Sequence, residues 1–529
     1  MLNWSRLEEP QRQGRSFSET IHHSPFTIHS HVSALDTLLL FFLLNLALQP
    51  LVEPDFGWHL RTGLDLLQNG WRMPAADPYS HTMPDWPWVD HAWLTDGLLG
   101  LLYQGLGPVG PLAVIGLFAA VTLGAFWIVA GLSQTGRTFK LLALSISLWG
   151  ALPFLGARTQ LVSLLGLALL LRWFDLYRRG RLSHLWAVPL LFLLWANLHG
   201  GFTAGLFVLG LLLAASTVVR VAKDRRLSFT DRLEEQVLTW QQIGHVGLVL
   251  LLTFCVTFLN PYGWHLYGEI IASLNDTFMI QTLDEWHPVS LEKQAGLTYV
   301  VYLVTLGLAV LAGYRRVEPV RWTILLVFLV LSLRHWRNVL FFLLLSVPLW
   351  AELLDGAWQQ LCARFRLSFA WQKRWLFAAT VVAALWVGSL GADHLQHVVQ
   401  SGLAPQEYFR HTEYPIEAVE WIKEHRTELG QRMYNDYGFG GFLLWWLPGE
   451  KIFIDGRMPA FRIGDRWIFK DYMALTNNNP PDLTVLEKYR VDWAIVSVGT
   501  PLNQTLARQV EWREVYLDAK VAIFVKRQG

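Results

Sequence analysis

The sequence predicts an α-helical, multi-span membrane protein with about eleven transmembrane helices and a small α/β domain at its C-terminal end. Hydrophobic residues make up 53% of the 529 residues and charged residues 16%, which is too apolar for a water-soluble fold of this length. Apolar runs recur along the chain, and loops rich in Arg and Lys alternate with loops that hold few basic residues. The net charge of +1 gives no indication of nucleic-acid binding.

The first apolar run, residues 34–52, is long enough at about 1.5 Å per residue to cross most of the hydrocarbon core. Residues 1–33 before it are too long and irregular for a signal peptide, so they are predicted to form a cytoplasmic tail. A transmembrane domain is predicted over residues 34–392. Its further apolar runs begin near Leu112, Leu141, Leu161, Leu182, Phe202, Val246, Leu297, Trp322, Val339 and Trp375.

Basic residues set the predicted orientation, because cytoplasmic loops of membrane proteins are rich in Lys and Arg. The loops 53–92 and 260–296 hold only Arg61, Arg72 and Lys293, so we expect them on the outer side of the plasma (inner) membrane. The connections predicted to be cytoplasmic carry Arg137 and Lys140; Arg172, Arg178, Arg179 and Arg181; Arg220, Lys223, Arg225, Arg226 and Arg232; Arg315, Arg316 and Arg321; and Arg364, Arg366, Lys373 and Arg374.

The segment 322–350 has two interpretations. It is either one long helix with buried charges or two short spans that meet at the polar cluster 334–338. Two spans are favoured, since both flanking loops are basic and a lipid-facing Arg costs about 2.5 kcal/mol or more. A single helix would move the C-terminal domain to the cytoplasm.

From residue 393 to 529 the pattern is that of a soluble domain, predicted to be extracytoplasmic. Helices are predicted at 415–429, near 481–489 and at 502–509, and strands at 451–454, 493–498 and 521–525. Helices that alternate with strands indicate a small α/β domain. Gly438, Gly440 and Gly441 precede a strand-like run, 442–447, so they predict a turn rather than a phosphate-binding loop. Asp436, Asp455 and Arg457 predict a buried ion pair or a contact with an acceptor.

Polar residues gather on the predicted outer side. Asp55 and His59 are four residues apart, so on a helix they share one face. Asp55 can instead cap a helix, and Trp58, Trp86, Trp88 and Trp93 fit an interfacial aromatic belt. The other candidates at outer span ends are Asp90, His91, Arg158, Gln160, Asn197, His199, Asn260, Tyr262, Glu285, Arg334, His335, Arg337 and Asn338.

The residue types of this group suggest a chemistry. A carboxylate can take a proton from a hydroxyl group, while Arg and His stabilise a phosphate leaving group through charge-assisted hydrogen bonds. That combination fits glycosyl transfer from a lipid phosphate. Asp55, His59, Asp90 and His91 have oxygen and nitrogen atoms of the kind that bind divalent metals. Because no ligand motif of known spacing is present, a divalent metal is the less favoured interpretation and no metal ligand is assigned.

The layout resembles the GT-C superfamily of polyprenyl-phosphate-dependent glycosyltransferases, which includes protein O-mannosyltransferases and the aminoarabinose transferase. The segment Pro54-Asp55-Phe56-Gly57-Trp58-His59-Leu60 is similar to the acidic motif that follows the first span in that family, with Phe56 in place of its second acid. The tail segments 435–441 and 454–457 resemble those of a group of bacterial GT-C-like proteins.

The resemblance implies an inverting sugar transfer with Asp55 as the catalytic base. Asp90 or Glu285 would replace the second acid, and Arg334 and Arg337, with Arg158 behind them, would hold the lipid phosphate. The implied partners are a lipid-linked sugar donor, membrane lipids and an acceptor that the sequence does not identify. Two alternatives remain: a transporter or flippase of a lipid-linked substrate, and a non-catalytic membrane assembly protein.

Overall fold

The computed structural model describes residues 34–227, 237–313, 318–366 and 369–527. The predicted N-terminal tail, 1–33, and three of the basic residues used for the orientation, Arg232, Arg315 and Arg316, lie outside these ranges.

Fifteen helices make up the N-terminal part of the described chain. They are α1 (Ala34–Ala47), α2 (Phe56–Gln68), α3 (Trp93–Gly105), α4 (Gly110–Ala130), α5 (Arg137–Ala151), α6 (Leu161–Arg178), α7 (Ala187–Leu198), α8 (Phe202–Asp224), α9 (Trp240–Val256), α10 (His265–Asn275), α11 (Thr277–Thr282), α12 (Gln294–Gly313), α13 (Pro319–Arg334), α14 (Val339–Phe365) and α15 (Phe369–Leu403).

Four of these helices are long and apolar enough to cross a membrane: α4 with its preceding turn, α8, α12, and α14 with its preceding turn. Three shorter apolar helices, α1, α7 and α9, have 14, 12 and 17 residues. The expected multi-span helical protein is therefore supported, but a count of about eleven spans is not confirmed. Several apolar runs that hydropathy marks as spans fold as helices shorter than the roughly 20 residues that a perpendicular crossing requires.

The segment 322–350 forms two helices. The α-helical conformation ends at Arg334, His335 is extended, and α14 begins at Val339 after one 3₁₀ turn. The start of α13 lies beside α14, since Arg321 Nη1 and Glu352 Oε1 are 2.9 Å apart. Such a contact requires the chain to reverse between the two helices, so they form an antiparallel hairpin.

Helices α2 and α3 lie in close contact. A Cβ atom built on Gly63 would be 1.8 Å from the carbonyl oxygen of Asp96, so the two backbones touch at this point. Gly100 faces the backbone of Gly63 from the other side. This approach brings the first turns of both helices together, where Asp55, His59 and Asp96 lie.

The C-terminal domain follows α15, and the boundary predicted at residue 393 falls inside that helix. It contains α16 (Pro405–Arg410), α17 (Ile416–Glu424), β1 (Met433–Asn435), α18 (Gly440–Trp446), β2 (Arg462–Ile463), β3 (Arg466–Trp467), α19 (Ile468–Asn477), α20 (Thr484–Lys488), β4 (Trp493–Ser497), α21 (Pro501–Leu506), β5 (Trp512–Leu517) and β6 (Val521–Lys526).

The main sheet has the strand order β1-β4-β6-β5. β1 pairs with β4 in parallel, and the other two pairings are antiparallel. The strands predicted at 493–498 and 521–525 correspond to β4 and β6, whereas β1 and β5 were not predicted. The expected α/β domain is therefore present.

Two segments of this domain differ from the prediction. Residues 442–447 lie mostly in α18 rather than in a strand, because the glycine-rich start of that helix packs against α2. Residues 451–454 form no sheet strand. Ile452 instead makes an isolated bridge to Ser80 and accepts a hydrogen bond from the His81 N–H at 3.1 Å.

The C-terminal domain packs directly on the loop 53–92. The Thr82 hydroxyl donates to the Phe453 carbonyl at 2.7 Å, and the His81 ring lies 2.8 Å from the Met433 carbonyl. Arg457 joins the domain to the loop. It forms ion pairs with Asp455 and Asp77 at 2.7 and 2.8 Å, and all three side chains are buried. The loop and the domain therefore lie on the same side of the molecule and together enclose Asp55.

Candidate active site

Asp55 occupies the N-cap position of α2, but its side chain does not cap the helix. Its Oδ1 atom instead accepts a hydrogen bond from Trp58 Nε1 at 3.1 Å. Burial, followed by the charge of Glu53, raises the pKa of Asp55 to about 6. A carboxyl group with such a pKa is ionised at neutral pH and is a stronger base than an ordinary aspartate.

Arg158 places a positive charge beside Asp55. Its Nε atom is 2.7 Å from Glu53 Oε2. Burial lowers the pKa of Arg158, but Glu53, Asp55 and Glu285 outweigh that effect and raise it. Acidic groups from the loops 53–92 and 260–296 therefore act on one guanidinium group, and Glu53 is in direct contact with it.

The C-terminal domain forms the opposite wall. A Cβ atom on Gly456 would be 1.9 Å from Asp55 Oδ1, so the glycine backbone touches the carboxylate. Burial raises the pKa of the Tyr437 phenol, and the carboxylates of Asp55, Glu285 and Asp455 raise it further. Tyr437 is thus a neutral hydroxyl group that experiences the charges of Asp55 and Glu285.

A second polar cluster lies behind Asp55. His59 Nδ1 is 2.7 Å from Asp96 Oδ1, and both side chains are buried. Asp90 lies next to Asp96, where burial and then the Asp96 charge raise its pKa well above the ordinary value. The Oδ2 atoms of both aspartates are buried without a donor in the described part of the chain, which fits one proton shared between the two carboxyl groups.

The rings of His91 and His199 face each other, with their centres 5.4 Å apart. His199 Nδ1 accepts hydrogen bonds from the Ser163 hydroxyl at 2.8 Å and the Gly201 N–H at 2.9 Å. Its proton is therefore on Nε2, which leaves Nε2–H as a donor. Burial, followed by His59 and Arg337, lowers the pKa of His91 to about 4, so both rings are neutral at pH 7.

The charge of Arg337 contributes, after burial, to the lowered pKa of both His91 and His199. Arg337 is 3.6 Å from Glu285 and lies over the Trp286 ring at 4.3 Å. Gln160 Nε2 donates to the Arg337 carbonyl at 3.3 Å. The side chain remains 40% exposed, so it is accessible to a ligand.

The chain is similar over most of its length to the oligosaccharyltransferase of Archaeoglobus fulgidus. The crystal structure of that protein tethered to an acceptor peptide with the NVT sequon has a TM-score of 0.51 at 12% identity and covers 88% of this chain and 69% of the oligosaccharyltransferase. The structure of the archaeal oligosaccharyltransferase AglB from the same organism, in complex with an inhibitory peptide and a dolichol-phosphate, has a TM-score of 0.50 at 11% identity, with the same coverage of both chains.

ArnT from Cupriavidus metallidurans bound to undecaprenyl phosphate has a TM-score of 0.48 at 13% identity and covers 93% of this chain and 97% of ArnT. No protein-family model matches the sequence, and no curated protein is significantly similar to it. The oligosaccharyltransferase belongs to the GT-C superfamily. This protein has the GT-C fold.

Several residues predicted to bind substrate hold the GT-C framework together. Asn197 accepts a hydrogen bond from Trp93 Nε1 at 3.0 Å and so ties α3 to α7. Asn260 stabilises its own turn by accepting from the Tyr262 N–H at 2.8 Å. Arg334 is exposed at the end of α13 and forms no ion pair within the described ranges, unlike Arg337. His335 and Asn338 also contact the backbone: the His335 ring lies against the Trp286 carbonyl, and Asn338 donates to the Leu331 carbonyl at 3.5 Å.

The sequence did not point to Asp96, Tyr437 or Thr159. Asp96 lies in the first turn of an apolar helix. Acidic residues are common there because they interact favourably with the helix dipole, so Asp96 does not stand out in the sequence. Tyr437 lies more than 380 residues after Asp55, and no local spacing connects them. The segments 436–438 and 455–457 by themselves predict only a turn and a buried ion pair or a contact with an acceptor.

No three His, Cys, Asp or Glu side chains in the described part of the chain are arranged to hold a metal ion. Both ring nitrogens of His59 already have protein partners, Asp96 and Thr159.

Proposed function

We propose that this protein is an integral-membrane glycosyltransferase that transfers a sugar from a polyprenyl-phosphate donor to an acceptor. The observation that carries the proposal is a set of contacts beside Asp55. Arg158 pairs with Glu53 at 2.7 Å, Arg337 pairs with Glu285 at 3.6 Å, and Gln160 donates to the Arg337 carbonyl at 3.3 Å. Residues of four distant segments thus form one group that pairs a base with guanidinium groups. The donor class is supported by the archaeal oligosaccharyltransferase AglB, which has the same fold and whose structure contains a dolichol-phosphate.

The proposed reaction is an inverting displacement at the anomeric carbon. Asp55 accepts the proton of the acceptor hydroxyl, and the acceptor oxygen forms a bond to that carbon as the bond to the phosphate oxygen breaks. The departing lipid phosphate keeps the electron pair. Arg337 and the Nε2–H of His199 stabilise its negative charge by charge-assisted hydrogen bonds.

The proposal includes an orientation. The site and the C-terminal domain lie on the outer side of the plasma (inner) membrane, with the N-terminal tail in the cytoplasm. The packing of the C-terminal domain on the loop 53–92, which is poor in basic residues, supports placing them in the same compartment.

Replacement of Asp55 by Asn tests the base. Proteoliposomes that contain the full chain are given a panel of polyprenyl-phosphate hexoses and pentoses with a mixture of candidate acceptors, and the released polyprenyl phosphate is measured. We expect Asp55→Asn to reduce the release by about 10²-fold or more, because the amide cannot take the proton. Asp85→Asn, at an exposed residue paired with Arg466, is the matched control and should retain activity.

Near-normal release by a folded Asp55→Asn protein would reject the proposed base. Movement of labelled donor across the bilayer without release of polyprenyl phosphate would instead support the transporter or flippase alternative.

A further inference from the structure

The site contains a buried carboxyl group, Asp96, that takes no part in the proposed reaction. It is completely inaccessible to solvent, and its Oδ1 atom is 2.7 Å from His59 Nδ1. Burying a polar group in this way costs free energy unless it is hydrogen bonded, so the contact with His59 stabilises a specific arrangement of both side chains.

The partners of His59 define its protonation. The Thr159 hydroxyl lies 3.2 Å from Nε2 and donates to it, which leaves Nδ1–H to donate to Asp96. Burial lowers the pKa of His59 to about 4, so the ring is neutral at physiological pH. Because both nitrogens are engaged, His59 is not available to bind substrate as the sequence suggested.

The His59 ring in turn positions a neighbour. It stacks on the indole of Trp58 with ring centres 3.5 Å apart and an interplanar angle of 29°. The same indole donates its Nε1–H to Asp55 Oδ1 at 3.1 Å. A continuous path of contacts therefore runs from Asp96 on α3 to Asp55 at the start of α2.

We propose that Asp96 is a positioning residue that holds Asp55 in place through His59 and Trp58. The proposal rests on the proposed function, in which Asp55 is the base. The carboxyl group of Asp96 fixes the tautomer and orientation of the His59 ring, the ring confines the Trp58 indole, and the indole N–H stabilises the ionised form of Asp55. Buried groups that fix a reactive side chain in this way are a general feature of enzyme sites.

The test measures Asp55 directly and needs no sugar donor. A hydrophobic carbodiimide reacts with protonated carboxyl groups, so the pH dependence of its attachment to Asp55, read by peptide mass spectrometry, reports when that group is ionised. The titratable groups that face Asp55 are Glu53, His59 and Arg158, together with Tyr414 and Tyr437 of the C-terminal domain.

We expect Asp96→Leu to raise the labelling midpoint of Asp55 by about one pH unit, because a hydrogen bond to a carboxylate stabilises its charged form. Asp96→Asn should stay close to the wild type, since the amide oxygen still accepts from His59 Nδ1–H. Tyr302→Phe, which removes buried hydrogen bonds to Ser147 and Ser346 in the helical core, is a control for general destabilisation and should leave the midpoint unchanged.

An unchanged midpoint in folded Asp96→Leu protein would overturn the proposal, as would an equal shift in Asp96→Asn and Tyr302→Phe. If Asp96→Leu does not fold, His59→Phe decides, because it keeps a ring on Trp58 but loses the bond to Asp96. We then expect the same upward shift of the Asp55 labelling midpoint. An unchanged midpoint in His59→Phe would overturn the proposal. Labelling is independent of transfer, so loss of the proposed function would appear in the Asp55→Asn assay alone.

Discussion

The behaviour of Asp55 depends on side chains from several parts of the chain. Its proximity to His59 could be predicted, because residues four apart share a helix face. Its hydrogen bond with Trp58 could not be predicted, since that bond depends on the rotamer of the indole. Its contact with Gly456 could not be predicted either, because Gly456 lies about 400 residues away in the sequence. The same limit explains why Asp96 was missed: it reaches His59 only because α2 and α3 touch at Gly63.

The raised pKa of Asp55 predicts how activity changes with pH. The base acts in its ionised form, so transfer should be nearly constant above pH about 7 and fall roughly tenfold per unit below about 6. The measurement is kcat/KM for release of polyprenyl phosphate between pH about 4.5 and 8.5. Samples returned to pH 7 after each exposure should recover full activity, which excludes unfolding as the cause. Constant activity down to pH about 4.5 would contradict an Asp55 base with this pKa.

Helices and strands were predicted best where one apolar run ends at polar, charged or glycine residues. The two helices in 322–350 and the strands β4 and β6 are examples. The prediction was wrong for residues 442–447, whose aromatic and apolar run is compatible with a strand or a buried helix. The helix is selected by close backbone packing. Gly441 contacts the backbone of Pro54, and Gly57 contacts the backbone of Gly441.

Gly63→Ala should destabilise the α2–α3 pair. The added methyl group would be 1.8 Å from the Asp96 carbonyl oxygen and 3.1 Å from the Gly100 nitrogen, so the helices must separate. Overpacking of this kind costs typically about 1–3 kcal/mol. Thermal unfolding in detergent is the measurement. Gly105→Ala, at the end of α3, meets nothing within 4 Å and should leave the stability unchanged or slightly raised. Equal melting temperatures for the two variants would refute the close packing.

The complete site exists only when the C-terminal domain is docked. The N-terminal helical part supplies Asp55, Arg158 and Arg337, whereas the C-terminal domain supplies Tyr437 and Gly456. Arg457 connects the two parts, because its guanidinium group bridges Asp455 of its own domain and Asp77 of the loop. It also lies over the rings of Trp58, Tyr79 and Trp88 at 5.8, 5.1 and 5.3 Å.

Arg457→Met should therefore weaken the docking of the domain. It leaves two buried carboxylates without their cation, and breaking a buried ion pair from one side costs about 3–5 kcal/mol. Thermal unfolding and limited proteolysis between α15 and β1 are the measurements. Arg466→Met removes a partly exposed pair with Asp85 and should cost at most about 1 kcal/mol. If both variants unfold at the same temperature, Arg457 does not stabilise the interface.

Hydropathy and the distribution of basic residues were sufficient to predict a multi-span helical protein with a C-terminal α/β domain, and the acidic segment after the first span was sufficient to suggest the GT-C fold. Both signals are local, because each depends on residues that are close in the chain. The surroundings of Asp55 are a different matter: Arg158 and Gly456 reach it only after helices and domain have packed. Contacts between distant segments depend on crossing geometry, glycine-mediated backbone approach and buried charge, which no periodic pattern encodes.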